Sequence, residues 1–385
     1  MNLDESLVGK PKSKRVFYLD ALRAVAIIAV ITFHIFQLTR NFVYGEALFH
    51  SLSWFLNDFM GVCCRVGVLL FLMLAGSLSL GRNWTLKKFL GRRLPRIVIP
   101  FAIWGFVIAT IICCFVWFYP GSSSMLSQYS LNKLTYLGNP SLMNYLNYLY
   151  SFYMANELGS TAYWFFWMIL GTYLIMPIFD KWVYSSKLTD LEYFLFFWLI
   201  TCIFDFTLGY KFPIKLTYFV SPIGLVVAGY YLRYTERKFF NNPYVAILIL
   251  LAGMIANFAC SYYWSTPDEI FKFNRYSIFN TLEVIGIFLL FKNFDKFNIH
   301  IKFFENPEGI FKKFVYLLAK NSYGIYLIQD FIIVVIYEVI MYFNIFPNIN
   351  GTAMIFLLIS SIVVSTAIIE LLSHIPGLGK IIGSK

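Results

Sequence analysis

The sequence predicts an all-α, polytopic membrane protein of about ten transmembrane helices with both termini cytoplasmic, and two observations carry that prediction. Hydrophobic residues make up 59% of the 385 and charged residues only 13%, with a mean hydropathy of +0.68, well outside the composition of soluble domains. The apolar residues also gather into runs of about 20, the length at which a helix crosses a hydrocarbon core about 30 Å thick.

Taken in order, the expected spans are residues 17–38, 59–80, 96–118, 161–179, 191–210, 216–233, 244–264, 276–291, 319–343 and 352–373. A basic segment, 1–15, precedes the first span, and no small-residue cleavage pattern follows that span, so a removable signal peptide is not expected. Residues 16–375 then form one transmembrane domain, and 376–385 a cytoplasmic tail. The stretch 142–155 is short and rich in Tyr and Asn, which fits an interfacial helix inside a long outer loop better than an eleventh span.

Charge asymmetry sets the orientation. With the N-terminus inside, 22 of the 31 Lys and Arg residues fall in inner segments, six (Arg40, Lys133, Lys211, Lys215, Lys272 and Arg275) in outer ones, and Arg23, Arg65 and Lys320 within spans. This is the positive-inside bias, and a basic inner surface facing anionic lipid accounts for the net charge of +11 without a nucleic-acid partner. A multi-pass protein of the plasma membrane is the expectation.

Several chemistries lack their residues. The six cysteines, Cys63, Cys64, Cys113, Cys114, Cys202 and Cys260, form no CxxC with a histidine partner, so neither a zinc site nor a disulfide framework is signalled, and they read as small apolar packing groups. GxxxxGK[ST] and GxSxG are both absent from the sequence, which removes P-loop and α/β-hydrolase readings.

The informative residues are polar ones inside apolar runs, because each is costly there. The first span, YLDALRAVAIIAVITFHIF, carries Arg23 and His34 eleven residues apart. At about 100° per residue, this spacing returns His34 to within about 20° of Arg23, some 16 Å along the axis, so both face one stripe. Asp20 precedes Arg23 by three, which is salt-bridge spacing. His34 has no local acid; Asp205, Glu283, Asp330 and Glu338 lie in other spans, and Asp205 and Glu283, in the outer halves of theirs, are the candidates to orient the imidazole. Histidine is the commonest general base, although a buried histidine also serves simply to hydrogen-bond helices together.

A second candidate site is the inner loop GRNWTLKKFLGRRLPRIVIP, residues 81–100. Arg93 and Arg96, three apart across Pro95, would point to one face at the N-terminus of the third span. Guanidinium groups and free backbone N–H groups there make an anion site suited to phosphates. Arginines at an inner helix end are also ordinary lipid anchors.

These residues carry a resemblance. LDALRAVAIIAVITFH, with its R-x10-H spacing, resembles the first helix of the acyltransferase 3 family, membrane enzymes that acylate cell-surface carbohydrates. RVGVLLFLMLAGSLSL (65–80) is similar to the family's RxxVPLFFxxSGxLL helix, and GRRLPRIVIP carries its RxxR element at Arg93 and Arg96. YWFFWMILGTYLIMPIF (163–179), SPIGLVVAGYYL (221–232) and NSYGIYLIQDF (321–331) resemble its WFLxxLxxxYLxxP, GxxxxGYYL and SxGIYLxH segments. The six elements follow in order across nearly the whole chain. There are two departures: Ala75 replaces the usual serine, and Gln329 stands at the late histidine position.

The resemblance implies transfer of an acyl group, usually acetyl, from cytoplasmic acyl-CoA as donor substrate to a hydroxyl of a carbohydrate or lipid-linked glycan outside. Arg93 and Arg96, with Arg92, would hold the donor's phosphates, its pantetheine arm would pass Arg23, and His34 would act as general base or carry the acyl group itself. No permanently bound cofactor and no metal is required. The outer loop 119–160, rich in Tyr, Ser and Asn, suits sugar binding as well as an interfacial position. A transporter or flippase of a lipid-linked or small polar solute is the alternative, but no internal repeat or paired broken helices support it. A noncatalytic subunit would leave the Arg23–His34 stripe without a purpose. Oligomeric state is not legible.

Overall fold

The computed structural model describes residues 16–39, 49–118, 139–157, 159–210, 222–297, 309–346 and 351–384. The basic segment 1–15, Arg40, the outer-loop stretch 119–138, the first part of the span expected at 216–233, and Lys385 lie outside the described residues.

Helix α1 is Phe17–Thr39. After it come α2 (Leu52–Val62), a 3-10 turn at Cys63–Arg65, α3 (Val66–Ser79), α4 (Leu86–Arg93), α5 (Pro95–Phe118), α6 (Leu142–Tyr153), α7 (Trp164–Ser185) and α8 (Leu188–Ile203). A π-turn, Phe204–Leu208, closes α8, and α9 (Pro222–Tyr234), α10 (Pro243–Trp264), α11 (Ile278–Lys292), α12 (Ile310–Tyr342), α13 (Gly351–Ser373) and the short α14 (Leu378–Ile382) complete the order. Among the described residues no element is a strand.

Local chemistry marks the helix starts. Ser51 and Ser277 accept the N–H groups of Trp54 and Asn280, each at 3.3 Å, and Asn242 accepts that of Tyr244 at 2.9 Å with Pro243 in the first helical position. These side chains satisfy donors that a helix N-terminus leaves open. The Asp190 carboxylate likewise accepts the Lys187 N–H at 2.8 Å.

Among the described residues, eight helical runs are long and apolar enough to cross a bilayer. Of the expected spans, the one at 276–291 is met by the fifteen-residue α11, which reaches only about 22 Å, and the one at 216–233 is described only from Pro222 on, as the thirteen residues of α9. Neither needs to face lipid on its own. Helix α9 is buried along most of its length against α3, and α11 packs on α10 and α1.

The bundle is organised around α1. Its apolar window is 78% buried, against 22% for α8 and α10, and it packs on α3, α12 and α13. Helices α3 and α9 cross closely: a Cβ placed on Gly76 would come within 1.8 Å of the Val226 carbonyl oxygen, and one on Gly229 within 2.0 Å of that of Met73. Without a hydrophobic driving force between helices in lipid, such close backbone approach is what packing has to offer. Helix α6 has the expected interfacial character: Leu142, Met143, Leu146 and Tyr150 are exposed, while Tyr148 and Phe152 are buried on the side toward α5.

Candidate active site

The Arg23 end of α1 opens onto a cavity of about 700 Å³. Arg23, Arg92, Arg93, Arg96 and Lys380 line it, with an apolar floor that includes Phe71, Ala75 and Ile169. Its described lining contains no carboxylate. Arg23 gives Nη1 to Asp20 at 2.8 Å, which fixes the guanidinium beside the cavity. The arginine cluster is split by Pro95: Arg93 is the last residue of α4, and Arg96 the second of α5. The expected single helix start therefore becomes a break, because proline has no N–H to continue the helix through it. Both arginines still reach one cavity.

Two elements shape that cavity in ways the sequence does not announce. Asp180, fully buried on α7, accepts the backbone N–H of Arg82 at 3.0 Å and of Trp84 at 2.7 Å, clamping the loop ahead of α4. Of the segment 376–385, expected as a cytoplasmic tail, the described residues pack against the bundle. Lys380, Ile381, Gly383 and Ser384 form part of the cavity wall, and the Ile382 carbonyl accepts from Trp104 Nε1 at 3.2 Å.

Farther along α1, His34 lines a second cavity of about 200 Å³ with Arg65, Trp164, Lys272 and Arg275. Phe165 and Tyr326 line both cavities and so form their common wall. The Tyr326 hydroxyl is held by the carbonyl of Ala162, and its ring meets Phe165 edge-on with centroids 5.4 Å apart.

His34 is buried, and its Nδ1 lies 2.5 Å from the side-chain amide nitrogen of Gln329, which is itself fully buried on α12. Gln329 Oε1 has no hydrogen-bond partner among the described residues. The amide has a donor and an acceptor end, and with Oε1 turned to Nδ1–H the imidazole keeps its Nε2 lone pair, the state a base requires. The neighbouring Asp330 accepts both the N–H and the hydroxyl of Thr161, at 2.9 and 2.7 Å, pinning α12 to the turn before α7.

The two acids considered as partners of His34 are placed elsewhere. Glu283 accepts from Asn257 at 2.7 Å in a network between α10 and α11. Asp205 sits half-buried in the π-turn after α8. Neither lines either cavity.

Comparison with known proteins adds one decisive finding: the acyltransferase-domain profile of the acyltransferase 3 family matches residues 16–370. The chain belongs to the acyltransferase 3 family. No curated protein matches it, and no solved structure does. Like other acyltransferase 3 proteins it is a membrane acyltransferase, with the R-x10-H pair of α1 distributed over its two cavities. Both departures from the family pattern fall at these cavities: Ala75 lines the inner one, and Gln329 touches His34. Residues missed by sequence reasoning are Phe165 and Tyr326, which look like ordinary apolar-run residues until the helices assemble, and the C-terminal wall. Arg65, Lys272 and Arg275 have a sequence signal only as charges near outer segments.

Proposed function

We propose that the protein transfers an acyl group, most simply acetyl, from cytoplasmic acyl-CoA to a hydroxyl of a cell-surface or lipid-linked carbohydrate at the plasma membrane. The observation that carries this reading is the shared wall: a cationic cavity at the Arg23 end of α1 and a smaller one at His34 meet at Phe165 and Tyr326. A cavity of about 700 Å³ is within the size range of ligand pockets. Arg92, Arg93 and Arg96 supply the fork-shaped donors that suit phosphates.

In this reading the donor's phosphates rest on the arginines and its arm passes Arg23 toward the Phe165–Tyr326 wall. The acceptor hydroxyl enters the outer cavity and gives its proton to His34 Nε2 as its oxygen attacks the thioester carbonyl. The tetrahedral intermediate then collapses, the C–S bond breaks, and the imidazolium returns the proton to the departing thiolate. Gln329 holds the ring in the tautomer this requires.

The test is the purified protein with radiolabelled acetyl-CoA and a panel of glycans. Label transferred to glycan, lost in His34→Ala with coenzyme A binding retained, is the expected result. Absence of transfer and of coenzyme A binding, together with solute flux in liposomes, would replace this reading with transport.

A further inference from the structure

The outer cavity has an electrostatic character that transfer of a neutral group to a neutral sugar does not need. Three cations line it beside His34, and no carboxylate is among its described lining residues. Arg65 comes from the turn between α2 and α3; Lys272 and Arg275 come from the loop before α11. Arg65 donates Nη1 to the Phe273 carbonyl at 2.5 Å, which joins the turn to the loop and brings the two guanidinium groups to one cavity. Arg275 lies 3.7 Å over the Trp164 ring, and Arg65 lies 5.8 Å from that of Phe33.

None of these contacts supplies a negative charge. Among the described residues neither arginine has an acidic partner, and the nearby acids are otherwise engaged. Asp58 takes the Ser261 hydroxyl at 2.5 Å and its charge acts on Lys272, and Glu283 takes Asn257, so the two arginines are the cations left facing each other. Burial lowers the Arg275 guanidinium below its ordinary range, the mark of a cation that has lost water without gaining an acid. Desolvated charges of one sign are costly to hold together unless an anion joins them.

We propose that Arg65 and Arg275, with Lys272 adding a third positive charge, form an anion subsite next to His34, so that the reacting pair carries a carboxylate or phosphate there. This rests on the reading of His34 as the place of transfer. Two sources present that chemistry. One is the acceptor, as a uronic-acid or phosphate-bearing glycan. The other is the acyl group, as the free carboxylate of a dicarboxylic acyl thioester that has passed the Phe165–Tyr326 wall. Arginine forks favour either group over a neutral one.

The experiment uses the full-length protein in detergent with acetyl-CoA or succinyl-CoA as donor. Each is paired with neutral N-acetylhexosamine oligomers, uronate-containing oligomers or glycosyl phosphate, and release of free coenzyme A and label on glycan are both read. The expected result is that one charged partner, donor or acceptor, is used about ten- to a hundredfold better than its neutral counterpart. Arg275→Gln should then raise KM for that charged partner by a similar factor, raise that for the neutral one much less, and so collapse the preference between them. Arg65→Lys, which keeps the charge but not the fork, should give a smaller loss of the same kind. Preference for succinyl-CoA assigns the anion to the acyl group; preference for the acidic glycans assigns it to the acceptor. Equal use of charged and neutral partners, or a variant that slows both alike, overturns the subsite and leaves the acyltransferase reading standing. No turnover with any pair overturns that reading, and the subsite with it.

Discussion

Gln329 on α12 and His34 on α1 meet through the side-chain amide and Nδ1, 2.5 Å apart, and the end of the amide turned to Nδ1 sets which ring nitrogen carries the proton. An amide orients an imidazole without giving it charge. Gln329→Ala should therefore lower kcat about tenfold, the worth of one neutral hydrogen bond, with donor affinity kept. His34→Ala should cost about a hundredfold or more. Gln329→Glu is the informative variant. A carboxylate at Nδ1 stabilises the imidazolium, and the base must be neutral, so the acid limb of the pH–rate profile should move to higher pH. A limb that stays where it is in Gln329→Glu would mean that His34 does not titrate in the rate-limiting step.

The arginine cluster makes a separable prediction, because it lies in the inner cavity and not at His34. Arg93→Ala or Arg96→Ala should weaken coenzyme A binding about ten- to a hundredfold, as expected for a charge-assisted contact to phosphate. The loss should be larger at low salt than at high, since screening weakens the exposed partners. Arg96 is exposed and Arg93 half-buried, so the salt dependence should belong chiefly to Arg96. Isothermal titration of each variant with coenzyme A decides it; an unchanged Kd would return both residues to anchoring the helix ends.

The fold class was legible because apolar length is a local property, and so was the Arg23–His34 stripe, because helical spacing is too. The short helices α9 and α11 were harder. Their neighbours are apolar as well, and nothing in the local sequence announces that Gly76 and Gly229 let α3 and α9 approach backbone to backbone. The partner of His34 was not readable from residue chemistry. Asp205, Glu283, Asp330 and Gln329 all sit in or beside apolar runs, and it is the packing of α12 on α1 that selects Gln329. Sequence distance hid the outer cations for the same reason: 208 residues separate Arg65 from its acceptor Phe273.

Glycine packing gives a stability test with an internal control. A Cβ on Gly229 meets backbone of α3, which has no side-chain rotamer to yield, so even Gly229→Ala must push the helices apart. Gly171, on α7, has nothing within 4 Å of the same position. Gly171→Ala should be neutral or stabilise by about 0.5–1 kcal/mol through the helix propensity of alanine, while Gly229→Ala should lower the thermal unfolding midpoint in detergent by several degrees. Equal midpoints for the two variants would show that the α3–α9 crossing is looser than described.

The C-terminal wall yields the last prediction. Lys380, Ile381, Gly383 and Ser384 line the inner cavity, Ile382 is buried, and its carbonyl is tied to Trp104 on α5. Gly324 on α12 permits the approach, since a Cβ there would lie 2.7 Å from the Ile382 oxygen. A stop codon after Pro376 removes this wall while leaving α1, the arginine cluster and His34 in place. Coenzyme A should then bind more weakly by about tenfold, from the loss of the Lys380 charge and of apolar cover over the donor arm. Lys380→Ala alone separates the two causes. If it reproduces the whole effect, the segment acts through its charge; if it leaves most affinity intact while Trp104→Phe weakens binding, the wall acts by shape and holds its place through the bond to Ile382. A truncated protein that binds coenzyme A as tightly as the full chain would show that the segment closes the cavity without contributing to donor binding.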